Sequence, residues 1–94
     1  MDPDTAAVVT QLSIRNRRGL HARASAKFVS TVGQYNAEVW VAKDGVEVNG
    51  KSIMGLMMLA AAPGDEIQVR ASGEEARQAV EALARLVEDK FGED

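Results

Sequence analysis

The sequence predicts an α+β open-faced sandwich: a four-stranded antiparallel sheet with three helices on one face, in the order β-α-β-β-α-β-α. Three observations predict it. Short stretches of period-two apolar alternation recur along the chain, the signature of half-buried strands. Two of them flank Asp44-Gly45, a hairpin dipeptide whose residues tolerate the positive φ of a tight turn. Between the strands lie stretches with helical apolar spacing, so sheet and helices share one core.

Each element follows in turn. Val8, Thr10, Leu12 and Ile14 alternate with Val9, Gln11 and Ser13 as a first strand, and polar Arg15–Gly19 is a loop. Ala22 to about Val32 reads as a helix with Ala22, Ala26, Val29 and Val32 or Gly33 on one face. Glu38–Lys43 and Val46–Val48 are the hairpin strands, and Asn49-Gly50 is a second turn. Ile53 to about Leu59 is a short methionine-rich helix with Ser52 at its N-cap. Pro63-Gly64-Asp65 turns the chain into a fourth strand carrying Ile67, Val69 and Ala71. Ser72-Gly73-Glu74-Glu75 fits a capping box, with Ser72 at N-cap and Glu75 at N3. The last helix then runs to about Lys90, with Ala76, Val80, Leu83, Val87 and Phe91 as its core stripe. Residues 1–5 are expected to be a flexible acidic extension, and residues 6–94 a single domain.

Composition narrows the function. The chain has 94 residues, no cysteine and one histidine, which leaves out disulfide and thiolate chemistry and offers no cluster for a metal. No apolar run approaches membrane-spanning length, and the acidic N-terminus is no signal peptide, so a monomeric cytoplasmic domain without cofactor, metal or membrane insertion is expected. The net charge of −3 hides an asymmetry: residues 5–37 contain no Asp or Glu but hold Arg15, Arg17, Arg18, Arg23 and Lys27. The acids, including Glu74, Glu75, Glu81, Glu88, Asp89 and Glu93, lie elsewhere. Such a local positive field attracts phosphate or an acidic protein surface. Nucleic acid is the poorer fit, because the protein is acidic and has only four aromatic residues.

The single histidine, His21, stands inside this field where the first helix begins. Spacing alone makes it an ordinary surface residue. Its neighbours allow more: the free N–H groups of Ala22 and Arg23 at the helix start and the Arg23 guanidinium could hold a phosphoryl group carried on the ring, while Gly19 lets the loop turn sharply. Ser25 has no second histidine to serve as its base. In the short helix, Met54, Leu56, Met57, Met58 and Leu59 cannot all face a core; adaptable methionines on a surface suit docking, although about half could be core filler. Arg18, Arg23, Lys27, Lys51, Met54 and Met57 are the docking candidates. A phosphoryl carrier, an anion-sensing module and a pure protein-interaction module are all compatible with these residues.

GLHARASAKF, residues 19–28, and Lys51-Ser52-Ile53-Met54 resemble the two signature segments of HPr, the histidine-containing phosphocarrier family of the bacterial phosphoenolpyruvate-dependent phosphotransferase system. The family patterns are G-L-H-[AT]-R-P-A and K-S-[IL]-[MF], and the distance between the two segments also suits the family. The resemblance implies the open-sandwich fold, phosphorylation of His21 on Nδ1 by enzyme I with Arg23 assisting, and onward transfer to IIA proteins. It also implies a regulatory role for Ser52, the serine modified by HPr kinase/phosphorylase in organisms that have it. Ala24 stands where the family commonly has proline, which frees one more helix-start N–H. The ARASAKF segment resembles members serving the nitrogen-related branch rather than sugar permeases.

Overall fold

The computed structural model describes residues 7–93, so the extension expected at residues 1–5 lies outside the described residues. The elements are β1 (Val8–Ser13), α1 (Ala22–Val32), β2 (Glu38–Lys43), β3 (Val46–Asn49), α2 (Ile53–Met58), β4 (Glu66–Ser72) and α3 (Ala76–Glu88), followed by a 3-10 turn at Lys90–Gly92. The strands form one antiparallel sheet in the order β1-β4-β2-β3. β4, the last strand in the chain, lies between β1 and β2 and so joins the two halves of the sequence.

The alternation decides which face is covered. Leu12 pairs with Ile67, and Val69 lies between Thr10 and Val41. Leu12, Ile67, Val69, Val41, Val39 and Ala71 are all buried beneath the helices. Gln11, Gln68 and Glu66 point to the other, open face, where Arg70 Nη2 and Glu47 Oε2 pair at 3.0 Å across the surface. An exposed pair of this kind adds at most about 1 kcal/mol. In the hairpin, Lys43 pairs with Val46 around two residues of positive φ, Asp44 (52°) and Gly45 (81°), as the dipeptide predicts.

The helices depart from the expected pattern in three places. The buried face of α1 is Ala24, Ser25, Phe28 and Val32, whereas Ala22 and Ala26 are exposed. The ring of Phe28 outweighs the two methyl groups in apolar area and takes the core position. Ser25 can follow it inside because its hydroxyl donates to Leu20 O at 3.1 Å. The capping box before α3 does not form. Ser72 completes β4 opposite Glu38, and Glu75 is the N-cap, without a side-chain cap bond. The Glu75 carboxylate instead accepts the Asn36 backbone N–H at 2.7 Å, tying the loop after α1 to the start of α3. Finally, α3 stops at Glu88 rather than near Lys90, because Lys90 and Phe91 both take left-handed φ values, 57° and 56°.

That reversal carries the chain end back across the molecule. A left-handed non-glycine residue costs roughly 1–2 kcal/mol, and here two occur in succession. Burial of the Phe91 side chain, fully inside the core, supplies about 1.5–3 kcal/mol in compensation. Lys27 of α1 adds a tie by donating from Nζ to Phe91 O at 2.6 Å. α3 lies on β1 and β4, and α1 packs between α2 and α3. The loop entering α1, the end of α2 and the closing turn therefore meet on one edge.

Candidate functional site

The start of α1 is the centre of this edge. His21 is its N-cap, with extended backbone (φ −73°, ψ −179°), and its Nδ1 accepts the Arg23 backbone N–H at 3.3 Å. The first backbone bond of the helix runs from Ser25 N to His21 O at 2.9 Å, so the N–H groups of Ala22, Arg23 and Ala24 have no helical carbonyl to pair with. The loop before it is held from beneath. Leu20 N donates to Ala61 O at 3.0 Å, which anchors the His21 loop to the segment leaving α2. Gly19, at φ 67°, passes so close to that segment that no side chain fits there.

Two residues that the motifs do not single out complete the geometry. Glu93 arrives from the far end of the chain, and its Oε2 lies 2.5 Å from His21 Nε2. The acids expected to lie away from His21 thus include one that sits directly on it. Asn16 is fully buried, and its Nδ2 donates both to Gly19 O at 2.8 Å and to Glu93 Oε1 at 3.1 Å. Both of those partners are acceptors, which sets the amide orientation. With Glu93 over it, the imidazole has only 22% of its side-chain surface accessible, so the ring is less open than a helix-start histidine suggests. The Asn16-x-x-Gly19 turn, with Gly19 N donating to Asn16 O at 3.2 Å, is a local signal that could have drawn attention to Asn16. Nothing near Glu93 in sequence points to His21.

Charge surrounds this pair. Arg17, Arg18, His21, Arg23, Lys27, Gly92 and Glu93 line an open cleft of about 390 Å³. Arg18 and Arg23 are exposed and line it from the loop and the first turn of α1. Lys27 lines it too, while its ammonium group is engaged with Phe91 O. Partial burial alone would push the Glu93 carboxyl up, but hydrogen bonds from Asn16 and His21, and the charges of His21 and Lys27, hold it below its ordinary value of 4.5. A depressed carboxyl stabilises the folded tail above pH 4.5 and loses that contribution as pH falls through its folded value. The Asn16 side-chain amide resonances are therefore expected to shift on acidification while the sheet amides stay in place. Resonances that stay constant until acid unfolds the whole domain would count against the contact.

The second motif lies beside this edge. Ser52 caps α2, its Oγ accepting the Gly55 N–H at 2.9 Å, as expected. Leu56 and Leu59 are buried, whereas Ile53, Met54, Met57 and Met58 are exposed, so none of these three methionines is core filler. Lys51 is exposed next to the cap. Among the described residues no group of three or more His, Cys, Asp or Glu side chains could hold a metal ion, and no helix is long and apolar enough to cross a membrane.

A histidine N-cap at the rim of a basic cleft can hold an anion on the ring and hand it on. Comparison with known proteins points the same way. Residues 8–89 match the family model described as the PTS HPr component phosphorylation site. The chain is 52% identical over 82 residues to a phosphocarrier protein HPr of Neisseria meningitidis, covering 87% of this chain and 92% of that one. It is 46% identical over 84 residues to a phosphocarrier protein HPr of Xylella fastidiosa, covering 89% and 94% respectively. The crystal structure of an HPr from Thermoanaerobacter tengcongensis superposes with a TM-score of 0.88 at 41% identity, covering 93% of this chain and 98% of that one. The fold, the two sequence motifs and these relatives agree, and the chain belongs to the HPr family of phosphocarrier components of the phosphotransferase system.

Proposed function

We propose that His21 Nδ1 accepts a phosphoryl group from phosphorylated enzyme I and passes it to IIA proteins of the sugar or nitrogen-related branch. The carrying observation is the direction of Nδ1, which accepts the Arg23 backbone N–H at the start of α1, in a cleft that Arg17, Arg18 and Arg23 also line. The Arg23 N–H to Nδ1 contact, at 3.3 Å, is long for a hydrogen bond and exposed. A phosphoryl group on Nδ1 can take over that donor together with the neighbouring amides. The Arg23 guanidinium then offsets charge on the equatorial oxygens of an in-line transfer, where positioning and electrostatics supply most of the catalysis. The cleft is open, so it holds the group without enclosing it, as a carrier must. The chain itself needs no acid–base pair for this: the partner proteins complete each active site, and the protein is a carrier rather than an autonomous enzyme.

Partners dock, in this reading, across α1 and α2 through Arg18, Arg23, Lys51, Met54 and Met57, an apolar patch with a basic rim. Lys27 also lines the cleft, but its tie to Phe91 O gives it a structural task as well. The test is incubation with phosphoenolpyruvate and catalytic enzyme I, followed by a purified IIA protein. The expected result is a gain of one phosphoryl group that IIA then removes. Anion binding to the cleft without any covalent adduct would instead identify an anion-sensing module.

Ser52 is the proposed regulatory site of HPr kinase/phosphorylase. Its hydroxyl sits at the N-terminus of α2, where negative charge is favourable, so Ser52→Asp is expected to leave the thermal midpoint within a few degrees of the parent. The same charge stands next to Met54 on the docking surface and should slow phosphorylation of His21 by at least several-fold, most at low salt. Equal rates for Ser52→Asp and parent would remove the inhibitory role.

A further inference from the structure

The geometry points to Glu93, held by Asn16, as a positioning residue for phosphoryl transfer: it keeps the proton of His21 on Nε2, leaves Nδ1 as the lone-pair nitrogen, and offsets the positive charge the ring takes on when Nδ1 is phosphorylated. This rests on the reading of His21 as phosphoryl acceptor and goes beyond it, since the family match ends at residue 89, short of Glu93.

Three independent features build the contact. The first is the ring itself. Nε2 faces a carboxylate oxygen at 2.5 Å, which can only accept, and Nδ1 faces a backbone N–H, which can only donate. Both neighbours therefore ask for the same tautomer, with hydrogen on Nε2 and a lone pair on Nδ1. The second is Asn16. It is fully buried, and one side-chain nitrogen bridges the loop carrying His21, through Gly19 O, to the carboxylate that orients the ring. The third is the way the tail is brought there. Two successive left-handed residues, a fully buried Phe91 and the Lys27 tie at Phe91 O hold residues 90–93 against the site. Glu93 has 19% of its side-chain surface accessible. Among the described residues it forms no ion pair with Arg17, Arg18 or Arg23, so it meets the far side of the ring and leaves the arginine-lined part of the cleft open to a phosphoryl group.

The transfer balances without moving the Nε2 proton. The Nδ1 lone pair attacks phosphorus, the bond from phosphorus to the donor atom of phosphorylated enzyme I breaks, and its electron pair returns to that donor atom. His21 is then an imidazolium bearing the phosphoryl group on Nδ1 and hydrogen on Nε2, opposite the Glu93 carboxylate. In the onward step the ring leaves as neutral imidazole, because that hydrogen is still in place. A ring lacking it would have to depart as the far poorer imidazolide.

Glu93→Gln tests this, since it keeps the size and a hydrogen-bond acceptor but removes the charge. Nitrogen-15 spectra of the parent His21 ring in its neutral form should show a single tautomer, protonated at Nε2, with a slowly exchanging Nε2–H proton. In Glu93→Gln that proton should exchange faster and move upfield. Phosphoryl transfer at saturating enzyme I should fall about tenfold, the scale of one charge-assisted hydrogen bond, with the concentration of protein giving half-maximal rate little changed. Glu93→Asp should recover part of the loss. An unchanged ring spectrum with an unchanged rate in Glu93→Gln overturns the proposal. A faster rate also overturns it, because the carboxylate would then be competing with the phosphoryl group. A parent that takes up no phosphate removes the acceptor reading itself, and this one with it.

Discussion

His21→Ala abolishes phosphorylation by enzyme I while the domain stays folded. The ring is an N-cap rather than a core member, and α1 keeps Ala24, Phe28 and Val32 in the core without it. Loss of the cap costs about 1 kcal/mol, which lowers the melting temperature of a domain this size by roughly 4–8 °C. Loss of the acceptor is absolute, since no other histidine exists in the chain. The adduct on the parent is expected to be a phosphoramidate, lost in acid and stable in alkali, unlike a serine ester. Arg23→Ala gives the graded counterpart. The backbone N–H facing Nδ1 remains, but the guanidinium is gone, so transfer continues about ten- to a hundredfold more slowly. Intact-mass spectrometry after reaction with phosphoenolpyruvate and enzyme I checks both variants. A phosphate that persists in His21→Ala, or resists acid, would falsify the assignment of the acceptor.

Gly19→Ala is expected to be the most damaging small substitution near the site. At φ 67° an alanine pays roughly 1–2 kcal/mol for the left-handed backbone alone. Its Cβ would also collide with Ala61 O and stand 3.2 Å from Ala62 Cα, both backbone atoms that cannot swing aside. The loop must move, and with it goes the bond from Leu20 N to Ala61 O and the seating of the buried Leu20 side chain. Together these come to about 3 kcal/mol or more, a large share of the 5–15 kcal/mol typical of a whole domain. Gly45→Ala isolates the conformational part, since Gly45 also has positive φ but a Cβ there would meet nothing within 4 Å. Urea unfolding should show a large drop in midpoint for Gly19→Ala and a drop of about 1 kcal/mol for Gly45→Ala, with unchanged slopes. Equal losses in the two variants would show that the contact with Ala61 is unimportant. Because Gly19 accepts from Asn16 and precedes His21 by two residues, Gly19→Ala should also slow phosphoryl transfer.

The features legible from the residues were the local ones. The alternating strands, the Asp44-Gly45 hairpin, the serine cap of α2 and the placing of His21 where α1 begins each depend on neighbours within a few residues, where backbone sterics and one hydrogen bond decide the outcome. Long-range packing settled everything that depended on competition between faces or on distance along the chain. The core face of α1 went to Phe28 because its ring fills more of the interior than Ala22 or Ala26, a comparison that needs the sheet beneath it. Ser72 became the end of a strand rather than a cap because Glu38 of β2 was there to pair with it. Above all, the carboxylate on His21 comes from 72 residues away, through the reversal at Lys90 and Phe91, the burial of the Phe91 ring and the buried amide of Asn16. Two left-handed residues are unfavourable on their own, and only the packed core and the ties to α1 make that turn the stable one.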